Sequence, residues 1–230
     1  HDMIKNISNL GDAAVYCDFG PEVNETINSN VIDYFDHLTK LVKEKKVKGI
    51  TNLTPSYNKL IVSFDLNLID YRECKNLIEN LIIKRNNKKD NKKIKIPVCC
   101  ESEFGLDFER LNSKLDINKN EIIKLFFSKE YFCYMTGFIA GMPFLGDINE
   151  KIRCDRLETP RVKVPKGSVG ITEQFANIYT FESPGGWNII GNTPLKIFDD
   201  LNLTKPSLIK PGSQISFYEI SKKEYLNWND

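Results

Sequence analysis

Histidine is nearly absent from this chain: two residues in 230. His1, within His1-Asp2-Met3, reads as an expression scar. A histidine triad or a multi-histidine metal site would therefore rest on His37 alone. His37 lies among Asp33, Asp36 and Lys40 on a helical pattern, which predicts a surface residue. Charge of one sign is missing too, since 32 Lys and Arg face 31 Asp and Glu, a net charge of +1. Neither nucleic acid nor an anionic membrane surface is an expected partner of such a chain. No stretch approaches 18 apolar residues, and no charged-then-apolar leader opens the chain, so a cytoplasmic protein without membrane attachment is expected. The six cysteines include no CxxC pair. A chain of this length buries a core without disulfides, so reduced, buried thiols and no metal site are expected. Cys99 and Cys100 are adjacent and would point to opposite faces of a strand. There is also no GxxxxGK[ST] loop and no GxGxxG, which excludes the usual P-loop and Rossmann nucleotide sites.

What is present is ordinary globular material, 41% hydrophobic and 27% charged, which excludes a disordered or fibrous protein. Residues 12–19 read as a strand closed by Gly20-Pro21. Ile27, Val31, Tyr34, Phe35, Leu38, Leu41 and Val42 recur at spacings of three and four and predict a helix. Two strands follow, at 47–53 and 59–65, around the turn-forming Thr54-Pro55-Ser56. Tyr71, Cys74, Leu77, Ile78, Leu81 and Ile82 mark a second helix, and Ile94, Ile96 and Val98 alternate as a fourth strand. The order βαββαβ predicts a ferredoxin-like domain over residues 1–100.

Between the second helix and the fourth strand, residues 84–93 carry six cations and one anion. Such a loop can serve as a handle for RNA, because RNA-binding modules share the βαββαβ order. The third strand, Leu60-Ile61-Val62-Ser63-Phe64, lacks the stacking motif that RNA recognition needs. The loop is therefore expected to be a solvated one.

The second half changes texture. Two short helices are expected, one near Asp107–Leu115 and one opened by Asn118 and running through Ile122, Ile123 and Phe126. From Tyr131 onward short strands alternate with Gly and Pro, the pattern of a β-barrel or sandwich. Ten of the thirteen glycines lie from Gly105 onward and eight of the ten prolines from Pro97 onward, so loop shapes there are locked. Locked loops are where a pocket is built. In Thr159–Gly170, the cations Arg161, Lys163 and Lys166 flank a Gly167-Ser168 turn whose N–H groups could face an anion. The same segment fits two strands joined by a turn, with the cations facing solvent. In Glu182–Trp187, Glu182 is a candidate general base and Ser183 a candidate donor. Trp187 is either a pocket wall or a core residue.

Thr159-Pro160-Arg161, Val164–Ile171, Ile178-Tyr179, Glu182–Trp187 and Gly191–Leu195 together resemble one family: the B subunit of 5-oxoprolinase, also called allophanate hydrolase subunit 1 or KipI. The likeness extends through Ile96–Cys99, Tyr131, Tyr134 and Gly137-Phe138, and reaches Gly11–Ala14 and Thr54–Tyr57. The resemblance implies an α+β protein, with the ferredoxin-like domain followed by a cyclophilin-like β-barrel over residues 101–230; it does not imply prolyl isomerase activity. It implies two partners, the KipA-like C subunit and a third subunit, with which the complex opens 5-oxoproline to glutamate using ATP as co-substrate, together with Mg. No metal or biotin is expected on this chain. The family also includes an inhibitor of a sporulation histidine kinase, and regions related to allophanate hydrolase and urea carboxylase with other substrates.

Opening a lactam requires breaking amide resonance, and phosphorylation of its oxygen removes that resonance. Cations and N–H donors are then needed around phosphate and oxyanion. The resemblance implies Arg161, Lys166, Ser168 and Glu182 as catalytic candidates. It implies Gly141, Pro143, Pro165, Gly167, Ser183, Pro184, Gly185 and Trp187 as substrate-binding candidates. Arg161→Ala is expected to abolish activity without unfolding the chain. The chain departs from the family where Phe126 replaces a usual His and Phe175-Ala176-Asn177 replaces Gln-Thr-Gly. Asn192 replaces an Arg, and Ala140–Asp147 replaces PGFPYLGG. These departures are expected to line the barrel groove and to alter substrate recognition.

Overall fold

The apolar spacing of the N-terminal half produces its two helices at the expected places. The computed structural model describes residues 3–85 and 93–230, and the chain divides into two compact units, residues 1–89 and 90–230. The first unit contains β1 (Asn6–Asn9), β2 (Ala14–Asp18), α1 (Glu25–Lys43), β3 (Ile50–Pro55), β4 (Lys59–Phe64) and α2 (Tyr71–Glu79). Its sheet runs β1-β2-β4-β3, antiparallel throughout. The Asn24 side chain accepts the Ile27 N–H to start α1, and Asp70 and Glu73 form a capping box at α2. Val31 and Leu38 of α1 and Cys74 and Ile78 of α2 are fully buried with Val15, Cys17, Leu60 and Val62 of the sheet. His37 is half-buried on α1.

The second unit holds β5 (Lys93–Val98), α3 (Phe108–Leu115), α4 (Lys119–Phe127), β6 (Glu130–Thr136), β7 (Pro143–Gly146), β8 (Arg161–Val164), β9 (Ser168–Thr172), β10 (Phe175–Ile178), β11 (Ser183–Gly185), β12 (Asn188–Asn192), β13 (Gln214–Glu219) and α5 (Lys222–Leu226). Seven strands form one sheet in the order β12-β9-β10-β7-β6-β13-β5. The sheet curls into a half-barrel, and its two edges meet where Cys99 and Asn192 exchange N–H···O bonds of 2.9 and 3.0 Å. Inside lie Ile96, Tyr131, Leu145, Val169, Ile171, Ala176, Ile178 and Phe217, closed by Leu111 of α3 and Ile122 and Phe126 of α4. Because Ala176 and Ile178 face inward, Asn177 faces the other side of β10. There a smaller cluster of Met142, Val164, Tyr179 and Ile189 forms, with Val164 drawn from a two-stranded β8–β11 ribbon.

The fold is α+β, but the expected fourth strand of the N-terminal domain is corrected. β5 pairs in parallel with β13, Ile94 opposite Ile215 and Ile96 opposite Phe217. The edge place beside β2 is taken by β1. Period-two alternation marks β5 as a strand without naming its partner, and β1 is a polar four-residue edge strand with no alternation to find. Of the basic segment 84–93, residues 86–92 lie outside the described residues. All six cysteines are free and buried. Among the described residues no helix is long and apolar enough to cross a membrane.

Candidate functional site

Arg161 opens β8, and its guanidinium is held by a carboxylate that the sequence does not advertise. Its Nη1–H donates to Asp107 Oδ2 and its Nη2–H to Asp107 Oδ1, each at 2.7 Å. Asp107 Oδ2 also accepts the Ile189 N–H at 2.6 Å. Asp107 stands at the N-cap of α3, yet its side chain makes no bond to its own helix. An anion buried to 4% exposure needs such partners, because a lone buried charge is costly. The pairing in turn raises the Arg161 pKa above its ordinary value.

Arg161 lies opposite Gly185 across the β8–β11 ribbon, and Gly185 lies against the Tyr179 hydroxyl so closely that any Cβ would overlap it. Burial raises the Tyr179 pKa, and the charges of Arg156 and Arg161 oppose the rise; beside it, both polar atoms of the buried Asn177 side chain lack a hydrogen-bond partner among the described residues. Trp187 is buried edge-to-face against Phe144, with ring centres 5.8 Å apart, and the Arg156 guanidinium lies 6.0 Å from its ring centre. The Ser183 hydroxyl is buried and has no hydrogen-bond partner among the described residues. The arrangement offers two cations, a phenol and an unpartnered hydroxyl beside an aromatic wall. It can bind and orient an anion, but it contains no histidine and no shielded carboxylate free to act as a base.

The other candidates lie elsewhere on this unit or are occupied by the fold. Gly167, at φ +84°, donates its N–H to Tyr179 O at 2.7 Å, and the Ser168 N–H donates to Pro165 O at 3.2 Å. The turn is therefore no anion cradle, which corrects the role expected of its backbone. Ser168 is buried in β9. The Lys166 ammonium lies 5.9 Å from the Phe181 ring centre. Glu182 meets Lys163 at 3.9 Å with both side chains more than half exposed, a solvated pair rather than a general base. Gly141, at φ +68°, sits against Phe198, Pro143 begins β7, and Pro184 is exposed on β11.

The departures from the family pattern also divide. Phe126 is fully buried in the half-barrel interior, its ring 5.3 Å from Tyr131 and 5.0 Å from Phe217. It lines no groove, which corrects that expectation. Asn192 donates from Nδ2 to Lys166 O at 2.9 Å and accepts the Tyr225 hydroxyl at 2.8 Å, so it latches the fold. Asn177, beside Tyr179, is the departure that does reach the site. Sequence reasoning did not single out Asp107 or Arg156. An aspartate before a helix reads as a cap, and an exposed arginine reads as solvated surface.

Comparison with known proteins agrees with the motif resemblance. The family model described as "Carboxyltransferase domain, subdomain C and D" matches residues 5–209. The 5-oxoprolinase B subunit of Bacillus subtilis is 31% identical, over 95% of this chain and 94% of its own length. Its counterpart of the same name in Haemophilus influenzae is 30% identical, over 92% and 96%. The crystal structure of TTHA0988 superposes with a TM-score of 0.79 at 26% identity, covering 91% of this chain. This chain spans only 40% of that longer protein. With a matching family model over most of its residues and full-length relatives at 30% identity or more, the chain belongs to the carboxyltransferase subdomain C and D family, on the branch of the 5-oxoprolinase B subunits.

Proposed function

We propose that this chain is the component of an ATP-dependent 5-oxoprolinase that corresponds to its B subunit, in an enzyme that adds water across the lactam C–N bond of 5-oxoproline to give glutamate. The observation that carries the reading is the end-to-end match to the Bacillus subtilis protein, at nearly the same length in both chains. The enzyme is completed by a KipA-like partner, corresponding to the C subunit, and by a third subunit. The site geometry supports a shared active centre: among the described residues the site holds cations, hydroxyls and an aromatic wall, but no histidine or shielded carboxylate to act as a base. ATP, with Mg, is the co-substrate of the complex. Because the N–H groups of Gly167 and Ser168 are engaged, this reading does not seat phosphate on the 165–170 turn. It retains Arg161, Ser183, Gly185 and Trp187 in the substrate site. It takes the second unit as cyclophilin-like and the first as a ferredoxin-like variant with β1 at its edge, divided before β5. A cytoplasmic location goes with it.

The test is a coupled assay of this chain with its partner subunits, 5-oxoproline and ATP. Glutamate and ADP should appear together, and only when this chain is present. ADP formation that does not depend on 5-oxoproline, with no glutamate, would exclude the substrate.

A further inference from the structure

The Asp107 grip uses only part of the Arg161 guanidinium. A guanidinium carries five N–H donors, arranged as two forks that each match a carboxylate. Asp107 takes one donor from each Nη. The remaining three, including Nε–H, have no partner among the described residues, and the side chain is 28% exposed. The lateral fork of Nε and its neighbouring Nη is thus open, while the other fork sets its direction. Arg156 makes no ion pair among the described residues, and its guanidinium lies 6.0 Å from the ring centre of Trp187, two residues beyond the Gly185 that stands opposite Arg161 and against the Tyr179 hydroxyl. Arg110, which donates to Arg156 O, and Asp155 pair with each other, so Arg161, Arg156 and Asp107 among themselves leave an excess of one positive charge, which a monoanion neutralises.

We propose that Arg161 and Arg156 form a carboxylate-binding site beside Tyr179, with Asp107 as the residue that positions Arg161. The ligand class is a small monocarboxylate, read by the open Arg161 fork and the Arg156 charge. Building on the function proposed above, the ligand is the carboxylate of 5-oxoproline rather than a phosphate of the nucleotide. Arg161 is then a recognition residue that distinguishes 5-oxoproline from an uncharged lactam. The excess charge of one favours a carboxylate over a phosphate near −2. A planar fork also explains why a guanidinium, and not an ammonium, stands on Asp107.

The test is calorimetric titration of the reconstituted complex with 5-oxoproline, with 2-pyrrolidone (the same ring without its carboxylate) and with inorganic phosphate. Arg161→Lys keeps a cation beside Asp107 but loses the two-bond fork, and should lower the melting temperature less than Arg161→Ala. It should weaken 5-oxoproline at least tenfold and leave 2-pyrrolidone within twofold. Arg156→Ala, on an exposed side chain, should weaken 5-oxoproline about threefold to tenfold with the same selectivity. Asp107→Asn should raise the KM for 5-oxoproline more than it lowers kcat, and should not alter the KM for ATP. Unchanged 5-oxoproline affinity in Arg161→Lys would overturn the site. So would equal losses for both lactams, tighter binding of phosphate than of 5-oxoproline, or no saturable binding by the unaltered complex. Turnover without the carboxylate discrimination keeps the proposed function and removes the site. Discrimination without turnover does the reverse.

Discussion

Arg161 and Lys166 lie five residues apart on one proline-bounded segment, and the fold treats them oppositely. Arg161 is clamped by a buried carboxylate through two bonds of 2.7 Å. Lys166 extends over the Phe181 ring with its charge left to solvent. Arg161 is positioned because an anion that cannot reach water holds it, whereas an exposed ammonium keeps its rotamer freedom. Two cations of similar appearance in sequence therefore differ in what they can do.

The largest effect should come from removing the clamp. Arg161→Ala leaves Asp107 buried with only the Ile189 N–H, and should destabilise the chain by about 2–4 kcal/mol in urea unfolding. Asp107→Asn keeps one acceptor for Arg161 but loses the charge, and a smaller loss of about 1–2 kcal/mol is expected by the same measurement. An unaltered unfolding midpoint in both variants would dissolve the contrast with Lys166.

Next to Lys166, Gly167 sharpens the comparison from the backbone side. At φ +84°, a Cβ would stand 2.5 Å from Thr193 O and 2.6 Å from Asn192 Oδ1. Gly167→Ala should cost about 1–3 kcal/mol without altering the selectivity between 5-oxoproline and 2-pyrrolidone. A selective loss for 5-oxoproline would return the turn to the site. The smallest effects belong to the solvated side. Lys166→Ala and Glu182→Gln should each change stability by no more than about 0.5 kcal/mol, with kcat/KM within twofold in the coupled assay. A tenfold loss in Glu182→Gln would reinstate it as a base.

Much of the fold was legible. The i, i+3, i+4 spacing from Ile27 to Val42 placed α1, and Asn118 announced α4, whose Glu121 N–H its side chain accepts. The turn-rich texture after Tyr131 announced a barrel or sandwich, and the strands there do build one curled sheet. β1 was not legible, because Asn-Ile-Ser-Asn at a polar sheet edge carries no period. The site was legible only where unusual chemistry marks a motif. Arg161 and the Ser183–Trp187 turn stood out, but Asp107, 54 residues upstream of Arg161, did not.

By itself the sequence determined most of the elements and the family, since these follow from local spacing and from residue types at matched positions. Tertiary structure alone decided which strand β5 joins, and that the 165–170 turn satisfies its own N–H groups. It also decided that Arg161 answers to Asp107. Each of these depends on partners distant in the chain, where burial makes an unmatched charge or donor costly and so selects the pairing.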